Sequence, residues 1–244
     1  QGNWIAGAGR GVWVSFAGSQ NNQIFRNAFG DIKGGTPALS LTHGVELQAS
    51  STRSVVGDLT RGNVFARNTN GIYVRGNANL NILRGNSFVC NSGRGILLDN
   101  GNSLYGKPIT GKTILVEINE KRTNFVSGYA PTANAVVDLY VKDAICNVAC
   151  DNNTSQGTVY IASVTAAATA SPNGLFMWEF DLTSPANVGN AVTKTNVIVM
   201  ATQAGSSPQN SSEFSICTPE IVCVLPTNVV INGTNNVCTE YKAK

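Results

Sequence analysis

The sequence predicts an all-β protein in which a parallel β-helix runs into a two-sheet β-sandwich. Three observations carry this. Residues 62–99 repeat a short unit, Gly71-Ile72-Tyr73-Val74 returning 24 residues later as Gly95-Ile96-Leu97-Leu98. A period in the twenties, built from short apolar runs and Gly/Asn corners, marks stacked coils. Past residue 108 the unit gives way to longer alternating or β-branched runs between turn clusters. Finally, 42% of the residues are apolar and only 13% charged, so the chain buries a core beneath a surface of Asn, Thr, Ser and Gly.

Taken in order, residues 1–108 carry the coils. Gly2-Asn3-Trp4-Ile5 opens on an asparagine corner, and Gly11-Val12-Trp13-Val14 is the first Gly-apolar-x-apolar strand. Gly44-Val45-Glu46-Leu47 is the second, and the units at Gly71 and Gly95 complete four, spaced by 33, 27 and 24 residues. The early coils therefore carry insertions, notably Gly30–Thr42. In each strand alternate side chains point in and out, so Ile72 and Val74 face the core and Tyr73 faces solvent. An Asn-x-apolar-x-x-Asn corner appears at Asn22–Asn27, Asn63–Asn68 and Asn81–Asn86. Asn and Gly tolerate the left-handed backbone that corners need. Asn63 with Asn81, and Asn68 with Asn86, are expected to be rungs of amide ladders. About four coils give a height of roughly 20 Å. Gln1 begins in mid-pattern, which is expected of a mature or trimmed piece with further coils or a cap before it.

Residues 109–218 contain six strand-like runs: Thr113–Asn119, Ala135–Val141, Thr158–Thr165, Leu175–Leu182, Asn196–Thr202 and Glu213–Ile216. Val137, Leu139 and Val141 would face a core from one strand, and Phe176, Trp178 and Phe180 from another. Short strands at this density describe a sandwich of immunoglobulin-like architecture. Residues 219–244 read as a Pro-bounded linker and the start of a further β module.

Charge excludes some functions. The net charge is +3 with no cluster of Lys and Arg, so no nucleic-acid partner is expected. No apolar run is long enough to span a membrane. Six cysteines and one histidine, without a Cys-x-x-Cys, argue against zinc and for disulfides in an oxidising compartment. Cys146, Cys150, Cys217 and Cys223 are the disulfide candidates, their pairing open, whereas Cys90 within the coils reads as a buried free thiol. Asn152, Asn153, Asn210 and Asn232 stand in glycosylation sequons.

These residues resemble secreted multidomain surface proteins of the Bacteroidetes group. In those, repeats of the Asn-x-Ile-x-x-Asn…Gly-Ile-x-Val sort run into an immunoglobulin-like module. The solenoid resemblance covers about residues 1–105. Ala135–Tyr140, the loop to Gln156-Gly157, and Tyr160–Val164 follow the second module's pattern. Ala201-Thr202 through Ser212-Glu213-Phe214-Ser215 is similar to its ending, and Val229–Cys238 to the first strand of another module. The irregular early coils and the extra cysteines Cys217, Cys223 and Cys238 depart from the pattern. The resemblance implies a right-handed β-helix within a large exported protein of the cell surface. It further implies an adhesin, delivered by type IX secretion machinery and joined to further modules of the same chain.

An enzyme must be weighed too, since β-helices host polysaccharide lyases and hydrolases. Such sites need clustered acids for Ca²⁺ or a carboxylate pair. The acids of residues 1–108 are Asp31, Glu46, Asp58 and Asp99, each alone on its coil and expected to be solvated. No catalytic residue, metal site or cofactor is assigned, and an enzymatic site would have to lie upstream. Asp151–Thr154 reads as a turn, and His43 as a structural corner residue. One binding candidate stands out. If the four strands stack in register, Trp13, Glu46, Tyr73 and Leu97 form an outward column, and Trp13, Glu46 and Tyr73 suit stacking on sugar rings. The favoured expectation is nevertheless that a loop such as Gly30–Thr42 covers this face, since exposed aromatics usually lie under something.

Overall fold

The computed structural model describes residues 2–7, 9–49, 51–76, 78–99, 117–122 (backbone only), 125–143, 155–172, 174–183, 196–204 and 209–215. Among these the protein is all-β, with sixteen strands and one 3-10 turn at Pro37–Leu39.

The chain winds four times over itself. The first winding supplies β1 (Trp4–Ile5), β2 (Arg10–Val14) and β3 (Gln23–Ile24); the second supplies β4 (Ala28–Gly30), β5 (His43–Leu47) and β6 (Val55–Val56). The third supplies β7 (Val64–Ala66), β8 (Asn70–Val74) and a bridge at Ile82; the fourth, β9 (Ser87–Val89) and β10 (Ile96–Leu98). Equivalent strands pair in parallel, giving stacks β1-β4-β7-β9, β2-β5-β8-β10 and β3-β6. The Gly-apolar-x-apolar units hold one register, Val12 beside Val45, Ile72 and Ile96.

The glycine of each unit is there for space rather than backbone freedom. A Cβ on Gly11, Gly44 or Gly71 would come within 2.7, 2.4 and 2.5 Å of Phe29, Phe65 and Phe88. Those three rings run up the interior, stacked at 4.8 and 5.1 Å. Each glycine leaves the flat floor on which one ring rests.

The asparagine ladders are real but their rungs differ from those expected. Asn3 N–H donates to Asn27 Oδ1 (3.1 Å), Asn27 N–H to Asn63 Oδ1 (2.9 Å) and Asn63 N–H to Asn86 Oδ1 (3.0 Å). Asn68 pairs instead with Asn91, at 3.0 Å, and Ser54 N–H donates to Asn81 Oδ1 at 2.9 Å. The 18-residue match of Asn63–Asn68 to Asn81–Asn86 is thus out of phase. Asn63–Asn68 brackets strand β7, whereas Asn81–Asn86 spans the corner before β9; Val64 stands beside Ser87.

The remaining strands are β11 (Glu117–Arg122), β12 (Phe125–Ala130), β13 (Val136–Lys142), β14 (Gly157–Thr165), β15 (Phe176–Asp181) and β16 (Val197–Thr202). They form two antiparallel sheets, β11-β12-β15 and β14-β13-β16, with Val126, Val137, Leu139, Trp178, Phe180 and Val199 in one core. Strand β12 escaped the sequence reading because Ser127 and Gly128 interrupt its apolar pattern. The expected strand Glu213–Ile216 does not form over 213–215. Residues 211–215 run beside β16, but Ser212 and Ser215 hydroxyls accept the Ala201 and Val199 N–H groups, at 2.9 and 3.2 Å.

All six residues of β16 are buried. Val197, Val199 and Ala201 belong to the core of the second region, while Ile198 and Met200, with Tyr140 and Phe214, complete the core of the windings. Strand β16 is covered on both faces. That explains why Asn196–Thr202 reads as a continuous apolar run instead of an alternating one.

Candidate functional site

The outward face of the β2-β5-β8-β10 stack holds the binding candidate. Trp13, Glu46, Tyr73 and Leu97 stand in consecutive register, as the sequence predicts. Adjacent columns follow from the same register: Arg10, His43, Asn70 and Arg94 on one side, Ser15, Gln48, Arg75 and Asp99 on the other. Trp13 is 51% exposed, so the expectation that a loop covers this face is corrected. The Gly30–Thr42 insertion is held elsewhere. Asp31 is buried and accepts the Gly34 and Thr36 N–H groups at 2.9 Å each, and Arg67 donates to the Asp31 carbonyl at 3.1 Å. These bonds fold the insertion on itself.

Glu46 is fully buried despite its outward position. Its Oε2 accepts from Arg10 Nε, and its Oε1 lies 2.9 Å from Arg75 Nε. That second contact is Coulombic, because Oε1 has no aligned donor and the Nε–H of Arg75 goes to Gln48 Oε1 at 2.7 Å. The two arginine side chains remain 42% and 40% exposed. A buried carboxylate is tolerable only when paired, and here it draws two cations into fixed places above it. Arg10 lies over the Trp13 ring at 4.9 Å and Arg75 over Tyr73 at 5.8 Å. The expected role of Glu46 as a ligand contact is therefore corrected to that of a positioning residue.

Tyr73 donates its hydroxyl to Asp99 Oδ2 at 3.1 Å, and its ring meets His43 at 4.6 Å. Burial, then the Asp99 charge, push the Tyr73 hydroxyl up. Burial pushes the His43 imidazole down; the Glu46 charge opposes this and the Arg10 and Arg75 charges reinforce it. The remaining acid, Asp58, pairs with Arg61 in its own turn at 2.6 Å. The expectation of solvated acids thus fails for Asp31 and Glu46, which are both buried and both hydrogen-bonded. No group of three or more His, Cys, Asp or Glu side chains suited to a metal occurs among the described residues.

A second constellation was not foreseen. Side chains from residues 138–215 finish the ladders of the windings. Gln156 Oε1 accepts the Asn91 N–H at 3.1 Å, extending the Asn68–Asn91 ladder by a rung. Asn210 Oδ1 accepts the N–H of Leu80 and of Asn81, the latter at 3.2 Å. Tyr140 Oη accepts the Gly85 N–H (2.9 Å) and Ser211 Oγ that of Leu83 (3.0 Å). Glu213 accepts the Leu98 N–H at 2.6 Å and pairs with Arg94; burial pushes its carboxyl up, and those two partners oppose the shift. Phe214 closes the ring stack edge-on against Phe88 at 5.5 Å. Arg84 grips the buried Asp138 through two bonds of 2.6 Å, and Ser163 supports Asp138. Among the described residues, the N–H groups of Asn81, Leu83, Gly85, Asn91 and Leu98 all find side-chain acceptors from residues 138–215 where a further winding would have lain.

Cys90 is corrected as well. It is disulfide-bonded, not a free thiol. Its left-handed backbone (φ 57°) places it at a half-buried corner, where its N–H donates to Asp143. Cys146, Cys150, Cys217 and Cys223 lie outside the described residues, as do the sequons at Asn152, Asn153 and Asn232, the Asp151–Thr154 turn and residues 219–244.

No family model, curated protein or solved structure matches the chain. The arrangement of its own residues must carry the functional reading.

Proposed function

We propose that this chain is a non-enzymatic glycan-binding segment of an exported cell-surface protein, an adhesin built on a right-handed parallel β-helix with an immunoglobulin-like sandwich at its downstream end. The observation that carries the reading is the in-register column Trp13–Glu46–Tyr73 on the outward sheet face, with Trp13 half exposed and a guanidinium group anchored over one face of each ring. Aromatic faces and fixed hydrogen-bond donors are the groups that hold pyranose rings and their hydroxyls. What supports binding over cleavage is the state of Glu46. Its oxygens face arginines and have no solvent access, so it serves neither as general acid nor as nucleophile. No helix among the described residues is long and apolar enough to cross a membrane.

A glycan array on the purified chain tests this. Trp13→Ala is expected to lower binding of any captured glycan about five- to thirtyfold, since stacking on one exposed ring is worth about 1–2 kcal/mol. Unchanged binding in that variant removes the face from consideration.

A further inference from the structure

Resting on the glycan reading above, we propose that the face takes an electrically neutral, linear glycan lying along the stacking axis, one ring per winding, with a trisaccharide as the shortest chain that engages it fully.

The charge state of the face argues for a neutral occupant. Its ionised groups are already balanced in place: Arg10 and Arg75 around Glu46, Asp99 beneath the Tyr73 hydroxyl, and Arg94 on Glu213. An incoming carboxylate or sulfate would compete with Glu46 for the same guanidinium groups and meet Asp99 beyond them. Sugar hydroxyls carry no such conflict. They accept from the exposed ends of the arginines, while Gln48 and Ser15, both half-buried, border the face in a flanking column.

The pitch argues for direction and length. Equivalent residues recur up the stack at the strand spacing, roughly 4.8 Å, and an extended, equatorially linked pyranose chain advances by nearly that distance per ring. A glycan laid across the strands would pass over one aromatic ring at most. Laid along the axis, it meets Trp13 and Tyr73 two windings apart, with the Glu46 row between them. Three consecutive sugars span that interval and two do not. The next row presents Leu97, which offers no polar group to a fourth sugar.

The test is calorimetric titration of the full chain with linear β-1,4-linked gluco- and manno-oligosaccharides of two to six units, alongside oligogalacturonides of matched length. The expected result is at least tenfold tighter binding of a neutral trisaccharide than of its disaccharide. Little gain should follow beyond three units, and about 0.05 and 0.5 M salt should give the same affinity. Trp13→Ala should abolish the length step, and Arg53→Gln, an exposed arginine of another face, should leave it intact. Three results overturn the inference while sparing the glycan reading: preference for the oligogalacturonides, affinity that falls with salt, or affinity that ignores chain length. Binding of none of the probes here, combined with an empty glycan array, overturns both.

Discussion

His43 is the only histidine of the chain, and its environment makes a pH prediction with a definite sign. Burial leads the causes that lower its folded pKa below 6.5. The unfolded chain therefore takes up the proton first as pH falls. Stability is fully present above 6.5 and declines as pH drops through 6.5 toward the folded value. A single imidazole signal makes the folded pKa directly readable by NMR, and a value at or above 6.5 contradicts this account. In His43→Gln, the change in melting temperature between pH 7.5 and 5.5 is expected to flatten. At this scale the sequence was least informative. That Glu46 is outward could be read from alternation, but that it is buried could not, because Arg10 and Arg75 come from neighbouring windings. The same holds for Cys90, whose N–H meets Asp143 of the second region.

The winding is the element on which stability rests, and its glycines and phenylalanines are two halves of one device. Gly44→Ala puts a methyl group 2.4 Å from the Phe65 ring and 2.7 Å from the Gly71 carbonyl. Overpacking of this kind costs about 1–3 kcal/mol, measured as a fall in denaturant midpoint. Gly9→Ala is the control: a Cβ there meets nothing within 4 Å, and stability should hold or rise slightly. Should both variants melt alike, the ring stack is not what the glycines serve. Much of this was legible. The Gly-apolar-x-apolar units announced their strands and register because a strict local pattern marks a strand buried on one face. The asparagine corners misled, since Asn satisfies any corner and one corner motif can slide against another without local penalty. Only stacking, a long-range property, decides which asparagines meet.

For the molecule as a whole, the second region is a lid on the stack as much as a unit with its own core. Parallel edges at the last winding offer open N–H groups, and Tyr140, Gln156, Asn210, Ser211 and Glu213 accept them. A chain ending at Asp99 loses all five acceptors, and a buried donor left without a partner costs about 1–3 kcal/mol. That truncated chain is expected to elute as aggregate in gel filtration and to lack a cooperative thermal transition. A transition as sharp as that of the full chain would show the windings to be self-sufficient. The sequence hinted at this lid only through its Ser-Glu-Phe-Ser segment, whose residues read as a strand and act as ladder ends.

One of those ladder ends has a practical consequence. The Asn210 amide sits against Leu80 and Asn81, only 7% exposed, yet Asn210-Ser211-Ser212 is an acceptor sequence for oligosaccharyltransferase. A eukaryotic expression host that attaches its sugar tree as the polypeptide emerges would wedge it into the seam between stack and lid, and the secreted yield would fall for a reason unrelated to the natural producer.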